Sequence, residues 1–267
     1  MNKTIVLFDM DGTLTESRKC FKLKELGDIL YRLTNMGVHI GIITGSDEDY
    51  LREQMGDFLS HTSSRYKLHL LPCNGTKYYK PPEFANNDFK LAHSVSMEEK
   101  LGAVNYRGLI CELVYSQVDI CHIGAPLTGH FINCRGSMIN WSPIGRNANS
   151  KQREEFIQLD KEKNIRDRVI SELRAMLELK EMNNQITIKL GGDTSFDIYP
   201  TGWDKTYGLK HFTGWDVWFV GDRCGENGND YEIYNACLGQ SYTSEGPEHT
   251  VEIIECIIKN LREKNEQ

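Results

Sequence analysis

Apolar residues recur along this chain in two rhythms. Ile5-Val6-Leu7-Phe8 is a short unbroken apolar run, the pattern of a strand buried on both faces. Leu26, Ile29, Leu30 and Leu33 then follow i, i+3, i+4, i+7 spacing, with Gly37 where a helix should stop. Val38 to Ile43 reads as a second buried strand, ending at Thr44-Gly45-Ser46-Asp47, and Asp47 to Leu59 as another helix. Strand, helix, strand, helix predicts an α/β fold around a parallel sheet, whose ligands sit at the carboxyl ends of the strands. Asp9, Asp11 and Ser46 all lie at such ends.

The rhythm changes after about Pro81. Candidate strands at Gly129 to Cys134, Ser137 to Trp141 and Gln185 to Leu190 surround one long charged helical stretch from Ser150 to Leu179, with Ile165, Val169, Leu173 and Met176 at helical spacing. Val217-Trp218-Phe219-Val220 restores the buried-strand pattern and ends at Gly221-Asp222. A final helix carries Val251, Ile254, Ile258 and Leu261 on one face. The pattern predicts a core made of both chain ends, residues 1–82 and 199–267, interrupted by an inserted α+β domain at 83–198.

Composition narrows the function classes. The 267 residues suffice for one large domain or two modest ones, and 39% hydrophobic with 26% charged residues describes an ordinary globular protein. A net charge of -7 argues against a nucleic-acid partner. No apolar run nears the roughly 20 residues that cross a bilayer, and Ile5 to Phe8 is too short a core for a signal peptide, so no membrane partner and a cytoplasmic location are expected. The eight cysteines are scattered, without a CxxC pair, and read as reduced thiols. The Asn-x-Ser/Thr triplets at Asn2, Asn74 and Asn140 are then chance, and the histidines, lacking ligand spacing, are structural or surface residues.

The chemistry concentrates in LFDMDGTLT, residues 7–15. In an extended chain residues i and i+2 point to one side, so Asp9 and Asp11 can face one point, and Gly12 lets the backbone turn sharply after them. Two carboxylates at one point invite a hard cation such as Mg²⁺. Asp222, with Asn229 and Asp230 behind it, offers the rest of a ligand set. A carboxylate can also attack phosphorus to give an aspartyl-phosphate, and phosphoryl transfer needs in-line positioning and neutralised equatorial oxygens. Lys205 and a hydroxyl, Ser46 or Thr44, are candidates for that role, and Asp11 for moving a proton to the leaving group or from the attacking hydroxyl.

DMDGT at Asp9 to Thr13 and GDRCGENGND at Gly221 to Asp230 resemble the haloacid dehalogenase (HAD) superfamily. LFDMDGTLTESRK, GSDEDYLREQMGD, SPIGRNANSKQREEF, LDKEKNIR, GGDTSFDIYPTGWDK and GDRCGENGNDYEIY together resemble a narrower group, the eukaryotic-type phosphomannomutases, over nearly the whole chain. That resemblance implies a HAD-like Rossmannoid core with an inserted substrate-binding cap. It implies a Mg²⁺-dependent mutase that interconverts mannose 6-phosphate and mannose 1-phosphate through a hexose 1,6-bisphosphate, which also serves as activator, and a homodimer joined through the cap. Asp9 becomes the nucleophile, Asp11 the general acid/base, and Asp222 a metal ligand. Lys205 is the third-motif lysine, Arg18 lies near the ligand, Arg135, Arg146 and Arg153 bind phosphate, and Ser195 and Asp197 bind sugar hydroxyls. The chain departs from the family pattern at Arg135-Gly136-Ser137-Met138, Arg223-Cys224 and Asn227-Gly228. A sugar-phosphate phosphatase on the same core is the alternative reaction, and a non-catalytic sugar-phosphate sensor a third reading, disfavoured by the intact Asp9, Asp11, Lys205 and Asp222.

Overall fold

The computed structural model describes residues 3–21, 23–61, 63–84 and 86–266. The chain divides into two compact units, Met1–Ser94 with Asp204–Gln267, and Val95–Trp203 between them.

The first unit begins with β1 (Thr4–Phe8), α1 (Leu23–Asn35), β2 (His39–Ile43), α2 (Glu48–His61), β3 (Leu68–Leu71), β4 (Lys77–Lys80) and β5 (Lys90–Ser94). The second contains α3 (Met97–Leu101), α4 (Ala103–Cys121), β6 (Ile132–Cys134), β7 (Ile139–Trp141), α5 (Ser150–Lys163), α6 (Ile165–Leu179), β8 (Ile186–Gly191) and β9 (Ser195–Pro200). The chain then returns to the first unit with β10 (Asp216–Gly221), α7 (Tyr231–Ala236), β11 (Ser241–Thr243) and α8 (Pro247–Glu266).

The core sheet runs β11-β10-β1-β2-β3-β4-β5, parallel from β11 to β3 and antiparallel at β4 and β5. Alternation along β1 sends Val6 and Phe8 to one face and Ile5 and Leu7 to the other, so the strand is buried on both sides. The first face is covered by α1, α2 and α8, through Leu26, Ile29, Leu51, Phe58, Ile254 and Ile258. Fully burying each such side chain contributes roughly 1.5–3 kcal/mol.

The second unit carries a four-stranded antiparallel sheet in the order β6-β7-β9-β8. Its apolar face is anchored by Trp141 and Phe196, both fully buried and stacked at 4.9 Å. The Trp141 indole N–H donates to Gln117 Oε1 on α4 at 2.8 Å, which satisfies the polar edge of a buried ring.

The structure departs from the sequence pattern in three places. Strands β4 and β5 pair onto the core sheet and β9 runs to Pro200, so the units divide after Ser94 and Trp203 rather than after residues 82 and 198. The helical stretch from Ser150 to Leu179 is two helices, broken at Asn164. Asn164 sits in the left-handed region (φ 48°), which asparagine tolerates better than most residues, and Asp160 accepts hydrogen bonds from the Arg166 backbone and guanidinium beyond it. Helix α4 has no counterpart in the sequence pattern because Val104, Val114, Tyr115 and Val118 are exposed on it and blur its apolar stripe. Among the described residues, no helix is long and apolar enough to cross a membrane.

Two histidines expected to be structural hold such a position. His39 Nδ1 lies 2.9 Å from His69 Nε2, and His69 Nδ1 lies 2.8 Å from the Tyr78 hydroxyl. Burial pushes His69 down to about 3 and His39 to about 4. The unfolded chain, with both near 6.5, takes up protons first, so this contribution to stability is complete above pH 6.5 and is lost as pH falls through the interval below it. His69 alone accounts for a slope of at most about 1.4 kcal/mol per pH unit, and the half-buried His39, pushed down less far, contributes over a narrower interval. Urea midpoints measured from pH 7.5 to 5 should therefore fall below pH 6.5 in wild type and fall less steeply in His69→Gln. Parallel curves for the two proteins would exclude this account.

Candidate active site

Asp9 and Asp222 leave adjacent strands at the same edge of the core sheet. Phe8 pairs with Val220 in register, and the Asp9 N–H extends that ladder by one bond, donating to the Val220 carbonyl at 2.9 Å. Asp230 precedes α7, and Lys205 opens a 3₁₀ segment, Lys205–Phe212. One oxygen from each of Asp9, Asp222 and Asp230 lies within 4.8 Å of the others. The fully buried Lys205 Nζ stands 2.7 Å from Asp9 Oδ1 and 2.5 Å from Asp230 Oδ1.

Three carboxylates thus face one ammonium. Burial, then the Asp230 charge, raises the Asp9 carboxyl well above the usual carboxylate range; Lys205 opposes this and Asp222 adds to it. The same two causes raise Asp222. Burial alone disfavours a charged Lys205, but the Asp230 and Asp9 charges outweigh it and hold the ammonium above its ordinary value. The surplus negative charge is what a divalent cation neutralises. Asp222 Oδ1 and Asn229 Oδ1 are both buried without a hydrogen-bond partner, a costly state that a cation relieves. Oxygen donors of this kind suit a hard ion, so the residues present fit a divalent metal.

Gly12 lets the chain pass this cluster. Its φ is +83°, and a Cβ there would stand 2.4 Å from Asp222 Oδ2. No other residue type fits without displacing that carboxylate.

One of the expected metal ligands, Asp11, is placed differently. β1 ends at Phe8, and Asp9 to Thr15 is a tight loop in which the Met10 carbonyl accepts from the backbone N–H groups of Thr13, Leu14 and Thr15. Asp11 is therefore outside the extended chain whose alternation was expected to aim it beside Asp9. Its Oδ1 accepts from the Tyr50 hydroxyl at 3.0 Å and the Arg18 backbone N–H at 2.9 Å, and it is not part of the acidic cluster. Asp230 is in the cluster, but Lys205 engages its Oδ1 and the Arg223 backbone N–H its Oδ2, at 3.1 Å, so it orients Lys205. Asp9, Asp222 and Asp230 are the carboxylates gathered where an ion could sit, and Asn229 adds a buried Oδ1 without a hydrogen-bond partner.

The remaining core candidates divide by what they touch. Thr44, buried, uses Oγ1 to accept the Ser46 N–H at 3.1 Å, which closes the loop after β2. Ser46 is half-buried, and its carbonyl accepts from the Cys73 N–H at 2.8 Å. Arg18 is exposed with φ 61°; its backbone N–H, rather than its guanidinium, makes the bond to Asp11. Tyr50 was not foreseen; its one signal is a place in the first turn of α2, just after the Ser46 loop.

In the second unit, the register pairs Asn140 with Asp197 and Trp141 with Phe196. Alternation then puts Trp141 and Phe196 on the apolar face and Asn140, Ser195 and Asp197 on the other. The Asn140 amide donates to Asp197 Oδ1 at 2.8 Å and to Ser195 Oγ at 3.2 Å, and its Oδ1 accepts from Arg146 Nη1 at 2.9 Å. Arg153 Nη1 donates to the buried Thr194 Oγ1 at 2.8 Å, one residue before Ser195. Arg135 is 6% exposed, and its backbone N–H closes the Arg135–Met138 turn at 2.8 Å. Arg146, Ser195 and Asp197 are thus brought together, with Arg153 alongside. Asn140 and Thr194 were missed. By sequence Asn140 stands out only as a chance glycosylation triplet, although its place between the apolar Ile139 and Trp141 signals that it faces the polar side.

The sequence profile described as eukaryotic phosphomannomutase matches residues 26–260. A phosphomannomutase of Dendrobium officinale is 37% identical over 252 residues, covering 93% of this chain and 91% of that protein. One from Schizosaccharomyces pombe is 35% identical over 257 residues, covering 93% and 92%. Among solved structures, an N-terminally truncated Plasmodium falciparum IMP-nucleotidase with IMP bound superposes with a TM-score of 0.60 at 14% identity, over 97% of this chain and 68% of that one. SMU.1108c of Streptococcus mutans gives 0.54 at 13% identity, over 96% and 99%. At such identities these structures speak to the fold, which they share.

Proposed function

The chain belongs to the eukaryotic phosphomannomutase family, and from that membership we propose that it interconverts mannose 6-phosphate and mannose 1-phosphate, with Asp9 as the phosphorylated nucleophile. The observation that carries the reading is the cluster of Asp9, Asp222 and Asp230 around Lys205 at the carboxyl ends of β1 and β10. In this reading Lys205 holds Asp9 Oδ1 and leaves Oδ2 to attack phosphorus. The breaking P–O bond sends its electrons to the sugar oxygen, which Asp11 protonates. The phosphorus attacked is one of the two in a hexose 1,6-bisphosphate, so a hexose monophosphate leaves. In the return step Asp11 removes the proton from the free hydroxyl of a monophosphate bound by its other end as that oxygen attacks the aspartyl-phosphate, which regenerates the bisphosphate from which the isomerised monophosphate is then released. Tyr50 and the Arg18 backbone N–H fix the Asp11 carboxylate for both steps. Mg²⁺, held by Asp9, Asp222 and Asp230 with Asn229 as a further oxygen donor, would neutralise phosphoryl charge when bound.

Arg146, Arg153 and Arg135 anchor the far phosphate, since a guanidinium fork matches phosphate geometry. Ser195 and Asp197 accept or share sugar hydroxyl protons. The reading includes a hexose 1,6-bisphosphate primer, hexose phosphates as the small-molecule partners, a cytoplasmic location, and a homodimer through the 95–203 unit, where α4 leaves Val104, Tyr115 and Val118 exposed. A monomer in sedimentation velocity would remove the dimer from it.

A coupled assay of mannose 1-phosphate isomerisation against phosphate release, with and without a hexose 1,6-bisphosphate, tests the reaction. Isomerisation well above release is expected; release alone would favour the phosphatase. Arg153→Ala sharpens the distinction, because hydrolysis of p-nitrophenyl phosphate needs only one phosphate at Asp9 and a water. Losing a charge-assisted contact costs about 2–3 kcal/mol, or roughly 30- to 150-fold. That loss should fall on isomerisation far more than on p-nitrophenyl phosphate hydrolysis. Equal losses in folded protein would refute the distal-anchor role.

A further inference from the structure

Arg146 and Asp197 carry opposite charges and are separated by a single side-chain amide. Asn140 is 4% exposed and lies in the middle of β7, between Ile139 and Trp141, which are both fully buried. Its backbone is therefore held by a packed face, and its side chain is presented from a rigid base. The amide assignment is unambiguous on chemical grounds: a guanidinium can only donate and a carboxylate only accept, so Oδ1 must face Arg146 and Nδ2 must face Asp197.

We propose that Asn140 is a positioning residue that keeps Arg146 and Asp197 apart, so that one remains a phosphate-binding cation and the other a hydroxyl-binding anion. The proposal rests on the reading above of those two side chains as sugar-phosphate contacts. A guanidinium and a carboxylate brought together form a bidentate, charge-assisted pair. Such a pair would withdraw the cation from phosphate and the carboxylate lone pairs from sugar hydroxyls. A planar amide prevents this. It donates at one corner and accepts at the other, carries no charge, and gives each neighbour one bond. Aspartate at this position has the same size but reverses the logic: its charge pairs with Arg146 and repels Asp197. Alanine removes both of these bonds, together with those to Ser195 Oγ and the Phe196 carbonyl, without adding a charge.

The experiment is a double-mutant cycle on Asn140→Asp and Arg146→Ala, reading KM and kcat for mannose 1-phosphate with Tm measured in parallel. Asn140→Asp should raise KM about 10- to 100-fold and change kcat less. On the Arg146→Ala background the same substitution should raise KM several-fold less than on wild type, since one of the two groups it acts through is gone and only the effect on Asp197 is left. Asn140→Ala should raise KM less than Asn140→Asp, although it leaves the larger gap. A structural role alone gives the opposite ordering and additive losses that follow Tm, and either result overturns the proposal. If Asn140→Asp does not fold, Asn140→Ser replaces it in the cycle, with the same non-additivity expected and additivity again fatal. A wild-type enzyme that does not isomerise mannose 1-phosphate refutes the functional reading instead, so the two failures are distinguishable.

Discussion

Asp9→Asn should lower both isomerisation and phosphate release by about 10⁴-fold or more, the scale seen when a covalent nucleophile is removed. The amide is isosteric with the carboxylate but a far weaker nucleophile. The fold should survive, because the substitution removes one of three mutually repelling charges: Asp230 and Asp222 already raise the Asp9 carboxyl. The bond from the Asp9 backbone N–H to Val220 is unaffected by the side chain. The variant should also fail to form the trapped complex with beryllium or aluminium fluoride that wild type forms. Turnover of a folded Asp9→Asn protein within tenfold of wild type would end the nucleophile assignment.

Chelation should be nearly as severe. Asp222 Oδ1 and Asn229 Oδ1 are buried without partners, and the carboxylate cluster outnumbers the Lys205 ammonium. Removing the ion leaves phosphoryl oxygens facing that surplus charge. A loss of several kcal/mol of charge stabilisation corresponds to about 10²- to 10³-fold or more in rate. Excess EDTA should produce that loss and added Mg²⁺ should reverse it. Asp222→Ala should raise the Mg²⁺ concentration for half-maximal activity and lower the maximum reached. Full activity in EDTA would remove the metal from the account.

The core was legible in the sequence because its strands are buried on both faces. Ile5 to Phe8 and Val217 to Val220 are continuous apolar runs, Val38 to Ile43 is interrupted only by His39 and Gly41, and such runs have few alternative fates. The motifs fixed residue identity for the same reason: a carboxylate directly after each of two buried strands has little choice of location. Strands β4 and β5 were not legible. They lie at the antiparallel edge of the sheet, and β5 is mostly exposed, so nothing in KLAHS marks burial.

What the sequence by itself supplied was the cast of two side-chain clusters: Asp9, Lys205, Asp222 and Asp230 in the core unit, and Arg146, Ser195 and Asp197, with Arg153 nearby, in the insertion. Tertiary structure decided their roles relative to one another. Alternation along an extended chain placed Asp11 beside Asp9, but the chain stops being extended at Phe8, and Asp11 turns to Tyr50 instead. Asp230 keeps its place in the acidic cluster, and the fold adds Lys205 and the Arg223 N–H as its partners. Asn140, 57 residues from Asp197, acquires its place only through the register of β7 and β9. Spacing along a chain fixes which residue types are present and which face of a local element they share. Which donor meets which acceptor is set by long-range pairing, and no local pattern encodes it.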